Sequence, residues 1–301
     1  MNMRACSASQ VRTCSLARTG ERELSRDVIS YNAAISACKN GMQWERALML
    51  LAVMREKGPE PDVISYNSAI SACANGGQWE RALDILMSIP ENNLEPDLIS
   101  YNAMISACGK GDQWKHALRM LMIEMQERHL EADFVSYSAV LNACANSERW
   151  ECAVTMLVEV QQENVEPNVV SYNAAMSACA KGEYWERALV LLREMQEQAL
   201  EPSVISYSTS ISACEKGLEW ERTLMILVEM QRHDVRPNVV SCSAAMSACE
   251  KGDQRERASG ILRNMRERDL EPNVFSYSAA ISACEKRRQW ERALRTLGEM
   301  R

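Results

Sequence analysis

From Val28 onward, apolar positions fall into two short helical registers that recur every 35 residues. The stem Ser-Tyr-Asn/Ser opens at Ser30, Ser65, Ser100, Ser136, Ser171, Ser206 and Ser276, with Ser-Cys-Ser at Ser241. The successive spacings are 35, 35, 36, 35, 35, 35 and 35 residues. A fixed period of this size signals a stack of supersecondary units rather than a single globular core. Numbered from its first aliphatic residue, each unit spans positions 1 to 35. The units are 28–62, 63–97, 98–133, 134–168, 169–203, 204–238, 239–273 and an incomplete 274–301.

Each unit predicts two helices. Tyr at position 4, an aliphatic at 8 (Ile35, Ile70, Ile105) and Cys at 11 mark one face of a first helix over positions 3–11. Gly at position 14 is read as its C-terminal signal. A second helix is expected from about position 16 to 28. Its buried stripe is taken as Trp at 17, Ala at 20, Leu at 21 and 24, and Met at 27, as in Trp44, Ala47, Leu48, Leu51 and Met54. The Glu-Pro pair near the unit's end, as at Glu60-Pro61 and Glu201-Pro202, is expected to stop that helix. No strand pattern appears, so the fold class is all-α: a right-handed α-solenoid of about eight tandem helix-turn-helix units.

Three units depart from the pattern. The third carries one extra residue between Ala117 and Met125, expected to bulge or re-register its second helix and to bear on the placement of Asp133. Pro90 lies late in the second unit's second helix, which should end early. The seventh unit has Cys242 for Tyr, Arg255 for Trp and Ser259-Gly260 where Leu is usual, which makes it the expected weak link.

Composition changes this picture little. The chain is 47% hydrophobic and 25% charged, with only 2 Phe, so Leu, Met, Ala and Trp fill the core. No apolar run approaches the roughly 18 residues of a membrane span. Eight of the 12 Cys sit at position 11, one per unit, which is a packing pattern. No CxxC pair occurs and the 3 His are isolated, so no metal or other cofactor is expected. Free thiols in such number favour a reducing compartment. Residues 1–27 lie outside the array. Arg4, Arg12 and Arg18, several Ser and no acid before Glu21 fit an organelle transit peptide; a disordered leader or a truncated earlier unit fits as well.

The full cycle resembles the pentatricopeptide repeat (PPR) family in its pure 35-residue, P-class form. The match runs through the aliphatic pair, Ser-Tyr-Asn/Ser, Ile-Ser-Ala-Cys, Lys-Gly, Glu-Arg-Ala-Leu, Glu-Met and Glu-Pro-Asp/Asn, over residues 28–301. Tetratricopeptide repeats, which bind peptides, have a 34-residue period and match less well. The resemblance implies single-stranded RNA as partner, one base per repeat, read through positions 5 and 35.

The residues themselves point to the same two positions. Position 5 holds Asn32, Asn67, Asn102, Ser138, Asn173, Ser208, Ser243 and Ser278; position 35 holds Asp62, Asp97, Asp133, Asn168, Ser203, Asn238 and Asn273. Helix capping accounts for position 35 but not for position 5, which lies inside a helix. The two also vary together: Asn with Asp in units 1–3, Ser with Asn in units 4, 6 and 7. By resemblance, Asn-Asp pairs with U, Ser-Asn with A and Asn-Ser loosely with C, which gives 5′-UUUACAA-3′ for units 1–7, with U the competing letter at unit 5 (Asn173, Ser203).

Two more positions carry over. Aliphatic residues at position 2 would sandwich each base: Ile29, Ile64, Ile99, Val135, Val170, Ile205, Val240 and Phe275. Packing between repeats is the other reading of these residues. Lys at position 13 would meet the backbone phosphates: Lys110, Lys181, Lys216, Lys251 and Lys286, with Asn40, Asn75 and Asn146 in the remaining units.

The net charge of −7 is unusual for a nucleic-acid binder. Positions 3–11 hold no charged residue, however, so the charge belongs to turns and second helices. Five lysines in the groove would give a logarithmic salt slope of about −3.5.

No Gly-rich phosphate loop and no nucleophile–base pairing is present, so the sequence predicts binding without catalysis. By resemblance, the protein would act in a chloroplast or mitochondrion on RNA processing, stability or translation, with a recruited RNA-processing enzyme as further partner. The alternative is a protein-binding scaffold of the tetratricopeptide type. A monomer is expected, with end-to-end association through an uncapped terminal helix as the other outcome.

Overall fold

The computed structural model describes residues 27–162, 167–285, 294 and 296–298. Its first helices are α1 (Val28–Asn40), α3 (Val63–Asn75), α5 (Leu98–Lys110), α8 (Phe134–Asn146), α10 (Val169–Lys181), α12 (Val204–Lys216), α14 (Val239–Lys251) and α16 (Val274–Glu285). The second helices are α2 (Trp44–Lys57), α4 (Trp79–Glu91), α9 (Trp150–Gln162), α11 (Trp185–Glu197), α13 (Trp220–Arg232) and α15 (Arg255–Glu267). In the third unit the second helix is α6 (Trp114–Arg119), a π-helical segment Met120–Glu124 and α7 (Met125–Glu127). Every described element is helical, and the molecule is an all-α solenoid. No helix among the described residues is long and apolar enough to cross a membrane.

The first helices are longer than the apolar periodicity indicates, because capping extends them to positions 1–13. The position-35 side chain accepts from the backbone N–H of the Ser at the next unit's position 3, as in Ser65 to Asp62 (2.8 Å) and Ser100 to Asp97 (2.8 Å). At Asp62, Asp97, Asp133, Ser203 and Asn238 the Ser hydroxyl reciprocates by accepting from the cap's own N–H, closing a capping box.

The helix ends differently from the sequence expectation. The left-handed residue is at position 15, with Asp112 at φ 55°, Glu183 at 67° and Leu218 at 61°. The N–H of position 16 then returns to the Cys carbonyl at position 11, as from Glu219 to Cys214 at 2.9 Å. The Gly at position 14 keeps a negative φ (−72° at Gly217), so conformational freedom does not explain it. Close approach does. A Cβ at Gly76, Gly111, Gly217 or Gly252 would lie 2.1–2.4 Å from Cδ1 of the preceding unit's Trp.

The Trp residues are therefore not part of the buried stripe. From Trp44 to Trp220 they are half-buried at the first turn of their second helices and stand at the joint between units. Arg222 stands over the Trp185 ring at 4.7 Å, Arg257 over Trp220 at 4.6 Å, and Tyr184 against Trp150 at 4.1 Å. The stripe itself runs through positions 20, 23, 24 and 27, for example Ala188, Leu191, Leu192 and Met195, while Leu at 21 is half-buried. Tyr at 4, the aliphatic at 8 and Cys at 11 face it. Burial pushes the thiols of Cys73, Cys179 and Cys249 up to about 11 and those of Cys108 and Cys214 to about 12, in keeping with a packing role.

Two local expectations change. Pro90 does not shorten α4, which runs 13 residues like its counterparts; the Pro sits in the last turn and caps Asn93 through its carbonyl at 3.0 Å. The Glu-Pro pairs do not stop the second helices, which close about five residues earlier on turns of the same kind, as where the Leu200 N–H reaches the Met195 carbonyl at 3.1 Å. The extra residue of unit 3 is absorbed by the π-helical segment, after which Met125 is again fully buried.

Each first helix packs on the next first helix and on its own second helix, and each second helix also leans on the following first helix. Small residues at positions 6 and 10 in every unit, and at 7 and 9 in most, permit the tight first-helix row. Second helices do not pack on one another to a comparable extent among the described residues. The stack therefore bends toward the first-helix row, which lines its inner side.

Candidate nucleic-acid interface

The residues singled out by sequence lie on the N-terminal turns of that inner row. All eight position-2 side chains are exposed, from 42% at Val135 to 77% at Phe275. They are not packing residues, which removes one of the two readings of this position. One large apolar side chain per repeat is thus left in solvent beside a row of polar groups.

One helical turn along, position 5 is buried or half-buried in units 1–7 and in most of them meets position 35. Asn32 Nδ2 donates to Asp62 at 3.1 Å, Asn67 to Asp97 at 3.0 Å and Asn102 to Asp133 at 3.2 Å. The third distance matches the others, so the π-helical turn leaves Asp133 in register. Asn173 reaches Ser203 at 3.5 Å, and Ser243 reaches Asn273 at 3.4 Å. Ser138 and Asn168 are linked through Ser171, which stands 3.2 Å from each. Ser208 and Asn238 share no hydrogen bond in the structure, and the Ser208 hydroxyl is buried without a partner. Ser278 is exposed.

Position 35 thus both caps a helix and joins position 5; the two roles that the sequence set against each other coexist. Burial raises the carboxyls of Asp62, Asp97 and Asp133, but the Ser N–H, the Ser hydroxyl and the Asn amide outweigh it and hold all three below the ordinary value. The bonds to Asp97 and Asp133 all fall on Oδ1, which leaves Oδ2 as a charged acceptor.

Sequence reasoning missed a third member of this cluster. The Ser hydroxyl at position 3 of the following unit lies between the pair: Ser65 is 2.5 Å from Asn32 Oδ1 and 2.8 Å from Asp62 Oδ1, Ser100 is 2.5 and 2.9 Å from those of Asn67 and Asp97, and Ser136 is 2.6 and 2.9 Å from those of Asn102 and Asp133, so its one proton is shared between amide and carboxylate. Its one mark in the sequence is that position 3 is Ser in every unit, which capping alone would also explain.

The position-13 lysines are less free than a phosphate row requires. Lys110 Nζ donates to Asn75 at 2.7 Å and Lys181 to Asn146 at 3.3 Å, so these Asn tie neighbouring units together rather than merely replacing Lys. Lys251 is neutralised by Glu215 at 2.5 Å. Lys216 is exposed, and Lys286 lies outside the described residues. Among the described residues, no three His, Cys, Asp or Glu converge as a metal site would require.

These features define a helical-pair repeat solenoid with one exposed apolar residue and one polar pair per repeat along a single face. A model of the pentatricopeptide repeat domain matches residues 54–111, 120–182 and 225–287, and models of the PPR repeat match 26–75, 167–216, 99–129 and 275–301. The chain belongs to the pentatricopeptide repeat family. No curated protein matches it. Among solved structures, two complexes of PPR10 with an 18-nt psaJ RNA element align at TM-score 0.77 and 19% identity, over 95% of this chain and 44% of theirs. PPR10 from maize aligns at 0.60 and 19% identity, over 94% of this chain and 47% of that one. The PPR domain of Arabidopsis thaliana protein-only RNase P 1, in complex with tRNA, aligns at 0.51 and 14% identity, over 62% and 95%. The chain spans less than half the length of the PPR10 chains it resembles.

Proposed function

We propose that the protein binds single-stranded RNA in a sequence-specific way, one base per repeat, with a target near 5′-UUUACAA-3′. The observation that carries this reading is the exposed position-2 row, Ile29 to Phe275, set one turn from the polar pairs. Apolar side chains at repeat spacing can receive the faces of splayed bases, and the pairs between them can meet base edges. The Asn-Asp pairs offer an N–H donor beside a carboxylate acceptor, which complements a uracil carbonyl beside its N3–H. Ser with Asn offers a hydroxyl and an amide, each able to donate and accept, as adenine N1 and N6 require.

The related PPR10 structures hold an RNA element, which supports the same partner here. The protein would act by occupying its site or by recruiting an RNA-processing enzyme, without catalysis of its own. We place it in a chloroplast or mitochondrion, acting as a monomer on RNA processing, stability or translation. Residues 1–27 would be its leader and residues 28–301 its binding array.

The test is equilibrium binding of labelled UUUACAA, flanked by inert sequence, against AAAUGUU in matched salt. Tight binding of the first and weak binding of the second is expected. Equal binding would leave a non-specific RNA binder. No binding of either by folded protein would sink the RNA reading in favour of a protein-binding scaffold.

A further inference from the structure

In units 5, 6 and 8 the Tyr at position 4 ends on the position-28 side chain of the unit before it. Gln161 Nε2 donates to the Tyr172 hydroxyl at 3.2 Å, Gln196 Nε2 to Tyr207 at 3.4 Å and Arg266 Nη2 to Tyr277 at 3.3 Å. The Tyr172 and Tyr207 rings are fully buried.

Unit 7 breaks this series. Cys242 stands at position 4, and Gln231, the position-28 side chain that a tyrosine would reach, has no side-chain hydrogen-bond partner among the described residues. Both line a cleft of about 370 Å³ between α13 and α15, with Leu227 and Ile261 as apolar walls. Arg268 lines it too, at the position from which His233 meets the Tyr207 ring in unit 6. Gly260 adds room, since a Cβ there would meet nothing within 4 Å. Burial raises the Cys242 thiol against the opposing pull of Ser241 and Arg268, so the thiol stays protonated and the cleft floor neutral. An apolar cavity of about 150 Å³ suffices to hold benzene; this cleft is larger and also offers a free amide.

The counterpart groove between α9 and α11 measures about 340 Å³, but its Gln161 is held by Tyr172, and Glu194 and Glu197 line it. Carboxylates repel the negative face of an aromatic ring.

We propose that the cleft between α13 and α15 is a binding site for a small phenol, whose ring takes the place of the tyrosine side chain that unit 7 lacks. Gln231 donates to the phenol oxygen as Gln196 does to Tyr207, and Arg268 supplies a positive charge beside the ring. The site lies between second helices, away from the inner row, and fills with or without RNA on the protein.

The probe is 4-methylphenol, the tyrosine side chain cut free of its backbone, added to the full chain. Calorimetric titration should show one molecule bound, and the melting temperature should climb with its concentration. Cys242→Tyr supplies the phenol from the chain itself. Binding should then disappear, and the ligand-free melting temperature should exceed that of wild type. Gln231→Ala should weaken 4-methylphenol about fivefold, as expected for one hydrogen bond, and leave toluene binding unchanged. This half-buried position keeps the test in hand should Cys242→Tyr fail to fold. No binding by folded wild type, or binding that Cys242→Tyr retains, overturns the proposal. Equal losses of 4-methylphenol and toluene in Gln231→Ala would reveal an apolar cleft with no contact to the phenol oxygen, and overturn it as well.

Discussion

Trp185 packs so closely on Gly217 of the following unit that a Cβ there would fall 2.1 Å from its Cδ1. The same contact joins Trp44 to Gly76, Trp79 to Gly111 and Trp220 to Gly252. Gly217→Ala should therefore force the indole aside and cost about 1–3 kcal/mol in chemical denaturation. Gly41 opens the array with no Trp before it and would place a Cβ no closer than 3.5 Å to its neighbours. Gly41→Ala should be neutral or slightly stabilising. If both variants lose stability equally, the glycines serve the turn and not the joint.

Both halves of this joint could be read in the sequence, but not its meaning. Trp at 17 and Gly at 14 lie in different units and touch across a boundary, while periodicity reports only which residues share a face within one helix. The covariation was available only in part: unit 7 lacks the Trp (Arg255) and unit 8 lacks the Gly (Arg287), but unit 4 has Ser147 after Trp114. The helix pairs were legible because Tyr, Ile and Cys at 4, 8 and 11 obey one simple period. The Ser100–Asn67 bond was not, since an invariant Ser in a repeat stem looks like capping alone. The exposure of Ile64 was equally hidden, because an apolar residue at a helix start carries no mark of which side it faces.

Exchanging a reading pair should exchange a base. Asn67→Ser with Asp97→Asn gives unit 2 the pair found in units 4, 6 and 7. Binding should move from U to A at the second base and stay unchanged elsewhere. Competition among four RNAs that differ only at that base measures it; a uniform drop for all four would mean that the pair supports the fold without reading RNA.

The salt dependence should be gentler than a count of five lysines implies. Lys251 is already paired with Glu215, which leaves Lys110, Lys181 and Lys216 as the charged position-13 groups among the described residues. Three phosphates at about 0.7 each give a logarithmic slope near −2. Glu215→Gln should release Lys251, tighten binding and steepen the slope by about 0.7. A slope of zero across a salt titration would remove the lysines from the interface.

The three reading carboxylates set an acid limit. Their folded pKa values lie below the ordinary 3.8 because hydrogen bonds to Ser and Asn outweigh burial. A group with a depressed folded value stabilises the fold above its unfolded pKa and loses that contribution as pH falls through the folded one. The stability difference between wild type and Asp97→Asn should thus be constant from pH 7 to about 5 and shrink below about 4. U-selectivity at bases 1–3 should likewise hold across pH 5–7. A change in that stability difference near neutrality would mean that these carboxyls titrate with raised values.

Unit 7 should be the easiest place to strengthen the protein. Arg255 occupies the Trp position with its side chain 11% exposed, and its Nε and Nη1 are buried without partners. A few residues on, Gly260 sits inside α15 beside a cleft of about 370 Å³ lined by Leu224, Leu227, Ile261 and Leu270. A Cβ at Gly260 would meet nothing within 4 Å. Gly260→Ala should therefore gain the full helix-propensity difference, about 1 kcal/mol, without strain. In a repeat stack, stability passes from unit to unit through their shared faces, so raising the weakest unit should also reduce amide exchange in the neighbouring α13 and α14. Hydrogen exchange of Gly260→Ala against wild type measures both effects. Protection gained in α15 alone would show that this unit unfolds independently of its neighbours, and no gain would place the weak point elsewhere.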